Sequence, residues 1–417
     1  MHKNTIGLHS TMPLKHKNNP VLMIAVLLLC VATSGVFVSD MYLPSLPSIA
    51  NSFNVSVHVV QMTIAVYLLA MSAAQLFYGP MSDRFGRKSM VCLGLFVALM
   101  GSLIGLWAQQ MYWLVIGRAM QGVGMGATSS LFRAILRDTF SGKKLTKVIA
   151  WSATAFSLAP AIAPVIGGYT DFYFGWRGTF LVLTGYILFS LIMVVWLIPE
   201  TNVNRHHCLV WRRVWLDYYE LIRHRVFLSN ALCTGAVMCG LFAYLTISPF
   251  LFQTVIGLNS VQYGWTAVLL IIASVAGKLV NIRLVNFLDG WQLIIVGLVF
   301  MLIAGGGLLT VSLFHWLNLW SVLIPCMFYI FAGGLVFTNS ASNALNPFPH
   351  KAGTAGALYG FIQLTGAFIG STVMTMWHAS SSMPLAVLFS CLAILTCVQY
   401  YWLVIQPKIL SSTHSRL

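Results

Sequence analysis

The chain has 417 residues, of which 59% are apolar and only 7% are charged. Soluble domains carry roughly 25% charged residues, so the composition excludes a protein that is surrounded mainly by water. The net charge of +15 raises the question of a nucleic-acid partner, which the positions of the charges answer below.

Uninterrupted apolar runs recur along the chain, each near the length of about twenty residues that a helix needs to cross a bilayer. A membrane barrel would instead show segments of about ten residues with alternating polarity. We therefore predict an all-α membrane protein with twelve transmembrane helices in two six-helix halves. The predicted helices are 21–45, 60–80, 89–109, 112–134, 147–169, 178–198, 228–252, 263–284, 291–314, 318–342, 353–376 and 383–406.

The lysines and arginines are distributed unevenly among the predicted loops. All but Arg118 and Arg177 fall in or beside segments that share one side of the predicted membrane. This is the positive-inside pattern that sets the orientation of membrane proteins. We expect both termini to face the cytoplasm, and we expect no nucleic-acid partner. The first apolar run lacks an obvious cleavage site and is interpreted as a retained helix.

The first predicted helix contains "VFVSDMYLPSLP", residues 36–47, in which Asp40 is the only acidic residue inside a predicted transmembrane helix. A proton-driven carrier needs a group that binds and releases a proton, and an intramembrane carboxyl group suits that role. The alternative is a polar helix end, because a helix starting at Val21 reaches Asp40 after about 28 Å. We predict proton coupling at Asp40.

The loop after the second predicted helix, "GPMSDRFGRK", residues 79–88, holds one acid and three bases. Its carboxylate can receive an arginine or the positive end of a helix, and its glycines allow tight turns and close packing. A loop that only set the orientation would need neither feature. We expect a structured cytoplasmic gating loop formed by Gly79, Asp83, Arg84, Gly86, Arg87 and Lys88.

The fourth predicted helix contains "GRAMQGVGMGATSS", residues 117–130, with an arginine in an apolar setting. A buried arginine costs at least ~2.5 kcal/mol on insertion scales, so Arg118 should face a partner or a wet cavity. We expect Asp40 to be its counter-charge. The alternative is an arginine that extends from the outer helix end to the interface.

The fifth predicted helix contains "APAIAPVIGGYTDFYFGWRGTF", residues 159–180. Pro160 and Pro164 remove helix hydrogen bonds and permit a bend, while Gly167 and Gly168 allow another helix to approach closely.

A polar and basic linker, residues 200–227, separates the two predicted halves. We interpret it as a cytoplasmic segment that rests on the membrane surface, with a regulatory or partner-binding role as the alternative. Its "NRHHCL" segment, residues 204–209, lacks a fourth metal ligand at sensible spacing, so we predict no metal site. The predicted units are a cytoplasmic tail 1–20, an N-terminal half 21–199, the linker 200–227, a C-terminal half 228–406 and a cytoplasmic tail 407–417.

Aromatic and amide side chains inside the predicted helices are candidates for a substrate cavity, because they suit bulky, weakly polar or cationic molecules. Ordinary packing is the alternative for each of them. The candidates are Tyr42, Tyr67, Gln75, Gln121, Phe242, Tyr244, Asn339, Asn343, Tyr359 and Gln363.

Three motifs resemble those of the major facilitator superfamily. Residues 79–88 match the loop motif G-x-x-x-D-R-x-G-R-K at every defined position. Residues 118–124 match the fourth-helix motif R-x-x-Q-G-x-G, which the resemblance implicates in proton transfer. The fifth-helix segment is similar to the antiporter motif, but Ala159 and Ala163 stand where that motif has glycine. This difference weakens antiport as a deduction from the motif alone.

Finer features resemble the Bcr/CmlA-type drug-resistance efflux subfamily. They are "DMYLPSLP" at 40–47, "RAILRDTF" at 133–140, "GWRGTF" at 175–180 and "ALNPFPHKAGTAGALYGFIQ" at 344–363. The resemblance implies a twelve-helix, proton-coupled exporter of amphipathic drugs in the bacterial inner membrane. It also implies that the first and fourth helices pair across the cavity of the N-terminal half.

We therefore predict a secondary active transporter that exports small amphipathic molecules by proton antiport, with no enzymatic activity and no cofactor. Its expected partners are a small-molecule substrate, protons and the lipid bilayer, and we expect a monomer. Export of an endogenous metabolite such as a siderophore, peptide or sugar is an alternative, and uptake by symport is another. A membrane receptor or scaffold is the alternative outside transport. No phosphate-binding P-loop motif occurs in the sequence, so ATP is not the expected energy source.

Overall fold

A computed structural model describes residues 20–202, 211–348, 351–377 and 381–406. These residues form α-helices with short 3₁₀ and π segments, and no strand occurs among them. The predicted all-α class is therefore confirmed. The tail 407–417, residues 1–19 of the other tail and the "NRHHCL" segment lie outside the described residues.

The N-terminal helices follow the predicted order closely. They are α1 Pro20–Asp40, α2 Leu46–Phe53, α3 Val57–Phe85, α4 Arg87–Leu106, α5 Met111–Thr139 and α6 Gly142–Leu197. The helix predicted to run to residue 45 ends earlier, at Asp40, and a 3₁₀ turn, Leu43–Ser45, leads into α2. Pro44 and Pro47 each stand in the first turn of these short segments, where proline's missing N–H costs nothing.

The two helices predicted at 147–169 and 178–198 are joined without a loop. Only Gly175 departs from helical geometry inside α6, with φ 68° and ψ 178°. Glycine adopts a positive φ without the steric cost that a Cβ brings. The chain therefore kinks at one residue, and α6 consists of two helical segments on either side of Gly175.

The C-terminal helices also match the predicted spans. They are α7 Trp211–Arg223, α8 Arg225–Phe250, α9 Ser260–Leu284, α10 Gly290–Leu313, α11 Leu319–Leu345, α12 Ala352–Thr375 and α13 Met383–Tyr400. Three of them begin with a capping box, in which Asn259, Asp289 or Asn318 and the third helical residue satisfy each other's backbone N–H groups.

Ten helices in the described part of the chain are long and apolar enough to cross a membrane. The count differs from the predicted twelve at two places. Helix α5 is not among the ten, because Arg118, Gln121 and several glycines make it less apolar, and α6 is counted once although Gly175 divides it.

Most helix contacts join members of α1–α6 to one another or members of α8–α13 to one another, and these two sets are called the helix groups below. Helices α3 and α12 pack against each other between the groups, and so do α6 and α9. Within the first group, α4 and α5 touch backbone to backbone. A Cβ on Gly124 would meet the carbonyl oxygen of Gly94, and a Cβ on Gly117 would meet that of Gly101. Small residues are common at such close helix contacts in membranes.

Replacing Gly124 by alanine should lower the free energy of unfolding by about 1–3 kcal/mol, because the new methyl group overpacks the α4–α5 contact. Gly185→Ala is the matched control, since a Cβ there has open space around it. Thermal unfolding of the purified protein in detergent measures both variants. Equal midpoints for the two would contradict the close contact.

Candidate functional site

Asp40 lies at the C-terminal end of α1 and is only 6% exposed. Its carboxyl group is close enough to Arg118 of α5, Tyr67 of α3 and Tyr263 of α9 to interact with them electrostatically. Asp40 therefore ends a helix, as the alternative interpretation expects, but it is enclosed by protein. Since α9 belongs to the second group of helices, Asp40 lies where the two groups meet.

Arg118 is fully buried in α5, between two aromatic rings. Its guanidinium carbon lies 4.4 Å from the ring centre of Tyr42 and 4.3 Å from that of Tyr67. The Nη1 atom donates hydrogen bonds to the carbonyl oxygen of Val38, at 2.9 Å, and to Oε1 of Gln121, at 2.8 Å. The positive charge is thus held by π faces and by neutral oxygens.

Neighbouring polar groups fix this arrangement. The Tyr67 hydroxyl donates to the carbonyl oxygen of Gly35, and the Tyr42 hydroxyl shares a 2.9 Å hydrogen bond with Thr63. Gln121 donates through Nε2 to the hydroxyl of Ser102, at 2.7 Å. Helices α1, α3, α4 and α5 therefore all contribute to holding one guanidinium group.

Asp40 and Arg118 are neighbours without a direct salt bridge. No ion pair joins them within the ranges that the structure covers. The Nε and Nη2 atoms of Arg118 are buried and have no hydrogen-bond partner among the described residues. The guanidinium therefore retains unused donors next to a carboxyl group. The role of this pair in proton coupling stays a prediction.

The predicted cavity residues fall into separate places. Tyr42, Tyr67 and Gln121 surround Arg118. Tyr359 and Gln363 of α12 are neighbours of each other and of Thr234 of α8. Neither the Tyr359 hydroxyl nor the Gln363 Nε2 makes a hydrogen bond of regular geometry with a described residue.

The remaining cavity candidates lie at other contacts between helices. The Gln75 side chain lies against the backbone of Gly360 in α12. Asn339 donates a 2.6 Å hydrogen bond to Asn281 between α11 and α9, and Asn343 lies beside Gly290 at the start of α10. Helix α8 carries Phe242, which is half-buried, and Tyr244, which is buried against Phe252. Asn339 and Asn343 thus belong to one end of the second helix group, apart from Arg118.

The structure adds two functional candidates, Tyr263 and Asp171, that the sequence patterns do not single out. Tyr263 is an aromatic residue in an apolar helix and had no distinguishing signal, yet its hydroxyl lies 3.0 Å from that of Ser248 and near Asp40. Asp171 lies just beyond the predicted helix 147–169, and no sequence pattern assigns it a role. It is buried and accepts hydrogen bonds from Ser48, at 2.7 Å, and Ser260, at 2.6 Å.

The fifth-helix motif explains how these contacts come so close. A Cβ on Gly167 would meet the carbonyl oxygen of Met41, and a Cβ on Gly168 would meet that of Ser260. Pro164 and Pro160 lie inside the same segment of α6, and the carbonyl oxygen of Pro164 packs against Gly264 of α9. The motif therefore brings α6, α9 and the residues after Asp40 into backbone contact.

The loop motif forms a charged cluster at the opposite end of the bundle. The Arg87 side chain bonds to Asp83, at 3.1 Å, to Asp138, at 2.8 Å, and to the hydroxyl of Ser82. The backbone N–H of Arg87 donates to Glu200, at 2.8 Å. One arginine thus connects α3, α4, the end of α5 and the residues that follow α6.

The other loop residues have simpler surroundings. Gly86, with φ 98°, is the only residue between α3 and α4, so the turn depends on glycine. Lys88 donates to the carbonyl oxygen of Val195. Arg84 is exposed, and a Cβ on Gly79 would have open space around it.

Replacing Arg87 by glutamine should lower the free energy of unfolding by about 1 kcal/mol, because partly exposed ion pairs contribute modestly and two are lost together. Arg84→Gln is the matched control from the same loop. Thermal unfolding compares them, and a larger loss in Arg84→Gln would contradict the assigned role of Arg87.

Replacing Asp171 by alanine should make the backbone around Ser48 and Ser260 more mobile, because Asp171 bonds to both side chains. Each hydrogen bond to a charged group contributes about 1.5–3 kcal/mol, so amide hydrogen exchange of residues 41–53 and 253–264 should accelerate about tenfold or more. Thr170→Val is the control, since Thr170 bonds only to Ile166 of its own helix. Unchanged exchange in Asp171→Ala would show that other contacts hold this end together.

Comparison with known proteins finds relatives whose names refer to drug resistance. The "Bicyclomycin resistance protein homolog" of Haemophilus influenzae is 29% identical over 366 residues, which cover 87% of this chain and 92% of that protein. "Multidrug resistance protein D" of Escherichia coli is 29% identical over 389 residues, covering 91% and 95%. These relatives agree with the resemblance to the Bcr/CmlA type.

Solved structures show the same fold at low sequence identity. The xylose transporter XylE from E. coli, in a partially occluded inward-open conformation, matches with a TM-score of 0.70 and 15% identity, covering 92% of this chain and 98% of that one. A structure of the peptide transporter POT matches with a TM-score of 0.75 and 12% identity, covering 94% and 95%. At such identities the likeness concerns the fold alone.

A family model described as "Major Facilitator Superfamily" matches residues 22–371, which hold most of the helices. The predicted membership and the transporter class are thus confirmed. The chain belongs to the major facilitator superfamily, within its Bcr/CmlA-type branch, and is a multi-pass protein of the bacterial inner membrane.

Proposed function

We propose that this chain exports drugs or other small amphipathic molecules in exchange for protons. The observation that carries the proposal is the burial of Asp40 beside Arg118 at the meeting of the two helix groups. The names of the relatives, which refer to bicyclomycin and multidrug resistance, support the substrate class.

In this proposal, Asp40 couples protonation to the arrangement of the helices. Charges interact strongly where water is excluded, so adding a proton to Asp40 changes its interaction with Arg118. Asp40 also lies near Tyr263 of α9, and movement between the helix groups would change its surroundings. A proton bound in one arrangement and released in the other shifts the population between them.

The substrate would bind between the groups, beside the polar atoms of Tyr359 and Gln363. These atoms lie in α12, which packs against α3 of the other group. Gln75 of α3 lies against the same stretch of α12. Mostly apolar walls with a few polar groups suit amphipathic ligands, and the unused hydrogen-bonding capacity supports this position.

The proposed topology has twelve crossings, with α5 and both segments of α6 counted separately. Helices α1–α6 form one half and α8–α13 the other. The termini, α7 and the loop motif then lie on the cytoplasmic side, as the distribution of basic residues suggests. In this proposal a monomer uses the proton gradient and needs no cofactor.

Replacing Asp40 by asparagine should abolish drug-dependent proton movement, because the amide cannot take up and release the coupled proton. The protein is reconstituted in liposomes with a pH-sensitive dye inside, and bicyclomycin or ethidium is added under an imposed pH gradient. Wild type should show proton flux that depends on the added drug.

Asp289→Asn is the matched control, because asparagine caps a helix as well as aspartate does. Asp289 caps α10 and accepts from the indole N–H of Trp291 in the same first turn, far along the chain from Arg118. It should transport like wild type. Undiminished coupled flux in Asp40→Asn would refute the assignment of the coupling site. Drug movement down the proton gradient, in the same direction as the protons, would instead indicate symport.

A further inference from the structure

One face of helix α7, Trp211–Arg223, packs against other helices. Leu221 is fully buried, and Tyr218 is buried and donates a 3.3 Å hydrogen bond to the carbonyl oxygen of Leu76 in α3. The helix also packs against α8 and α12. One face of α7 is therefore occupied by protein.

The two acidic residues of α7, Asp217 and Glu220, both form ion pairs with one lysine. Lys351, which precedes α12, places its Nζ 2.8 Å from Asp217 and 2.6 Å from Glu220. The hydrogen bonds to Asp217 and Glu220 raise the pKa of Lys351 above its usual value, so the lysine keeps its charge throughout the neutral range. Among the described residues, no ion pair joins Arg212 or Arg223 to these two acidic residues.

That remaining face combines exposed apolar side chains with basic ones. Trp215 is 53% exposed, and Leu216 and Tyr219 are each 57% exposed. At 100° per residue, Arg212 and Arg223 fall in the same sector as these residues, and the Arg223 guanidinium lies 5.1 Å from the ring centre of Tyr219. Both arginines are exposed.

We propose that this face of α7 binds the anionic phospholipid headgroups of the membrane surface. Aromatic rings with an apolar body and a polar tip favour the headgroup level, and amphipathic helices with basic residues bind anionic lipids at this depth. The chain is a membrane protein, and His224 alone separates α7 from α8, which is long and apolar enough to cross the bilayer. In this proposal, the exposed Trp215, Arg212 and Arg223 therefore contact lipid headgroups.

The lipid would bind to a helix that contacts both groups of transmembrane helices. Tyr218 connects α7 to α3, and Lys351 connects it to the start of α12. Helices α3 and α12 pack against each other between the groups. Anionic lipid on the outer face of α7 would stabilise this three-helix contact. The inference does not depend on which substrate the protein transports.

Amide hydrogen exchange of the full-length protein in lipid nanodiscs tests the proposal. One set of nanodiscs contains phosphatidylcholine only, and the other also contains phosphatidylglycerol. Exchange of residues 211–223 should be slower in the second set, by a factor of up to about 30 if each of two arginines contributes about 1 kcal/mol. High salt should reduce the difference.

The double variant Arg212→Gln/Arg223→Gln should lose the difference between the two lipids. Lys143→Gln/Lys144→Gln, at exposed positions near the start of α6, should keep it. Equal exchange of the variants in phosphatidylcholine shows that α7 is still folded. The proposal is overturned if phosphatidylglycerol has no effect on wild type, or if the α7 double variant responds like wild type. Slower exchange with soluble polyglutamate but not with phosphatidylglycerol would also overturn it and point to an acidic protein partner.

Discussion

The burial of one guanidinium group organises the first half of this protein. A charge without water must be held by other polar or polarisable groups, and Arg118 meets this need with two tyrosine rings, a carbonyl oxygen and an amide. The two tyrosines and the amide are each fixed by a further hydrogen bond, and these bonds reach three other helices, α1, α3 and α4. Tyr67, for instance, is held to the backbone of α1 at Gly35. Helices α1, α3, α4 and α5 are thereby brought together around a single cation.

The position of Asp40 follows from the same convergence. Arg118 binds the carbonyl oxygen of Val38, which fixes the last turn of α1 and with it the carboxyl group two residues later. On the other side, Gly167 lets α6 press against the backbone at Met41. The carboxyl group is thus held between the arginine and the contact of α6 with α9. A small movement of either helix group would change its surroundings, which is the property that coupling to a gradient requires.

Helix positions could be predicted from the sequence because long apolar runs reflect the thickness of the bilayer, and most predicted spans differ from the structure by only a few residues. Contacts between helices were harder to predict. Asn339, a predicted cavity residue, bonds to Asn281 of α9, and no periodicity within one helix reveals such a partner. Tyr263 could not be distinguished from other aromatic residues of apolar helices. The direct turn at Gly175 was missed because a short aromatic segment, Phe172 to Trp176, read equally well as a loop.

The close contact of α4 and α5 also limits how the gene can change. Every codon for glycine begins with two guanines, and a single base change that alters the amino acid introduces a residue with a Cβ atom or a stop. At Gly94, Gly101, Gly117 and Gly124 the added atom would meet the backbone of the facing helix. No single mutation can therefore make a mild substitution there, while the exposed lipid-facing positions of the same helices can vary freely in size. Because the atoms in the way include backbone atoms, a second side-chain change on the facing helix would not make room, and relatives that have diverged widely elsewhere are expected to keep glycine at these positions.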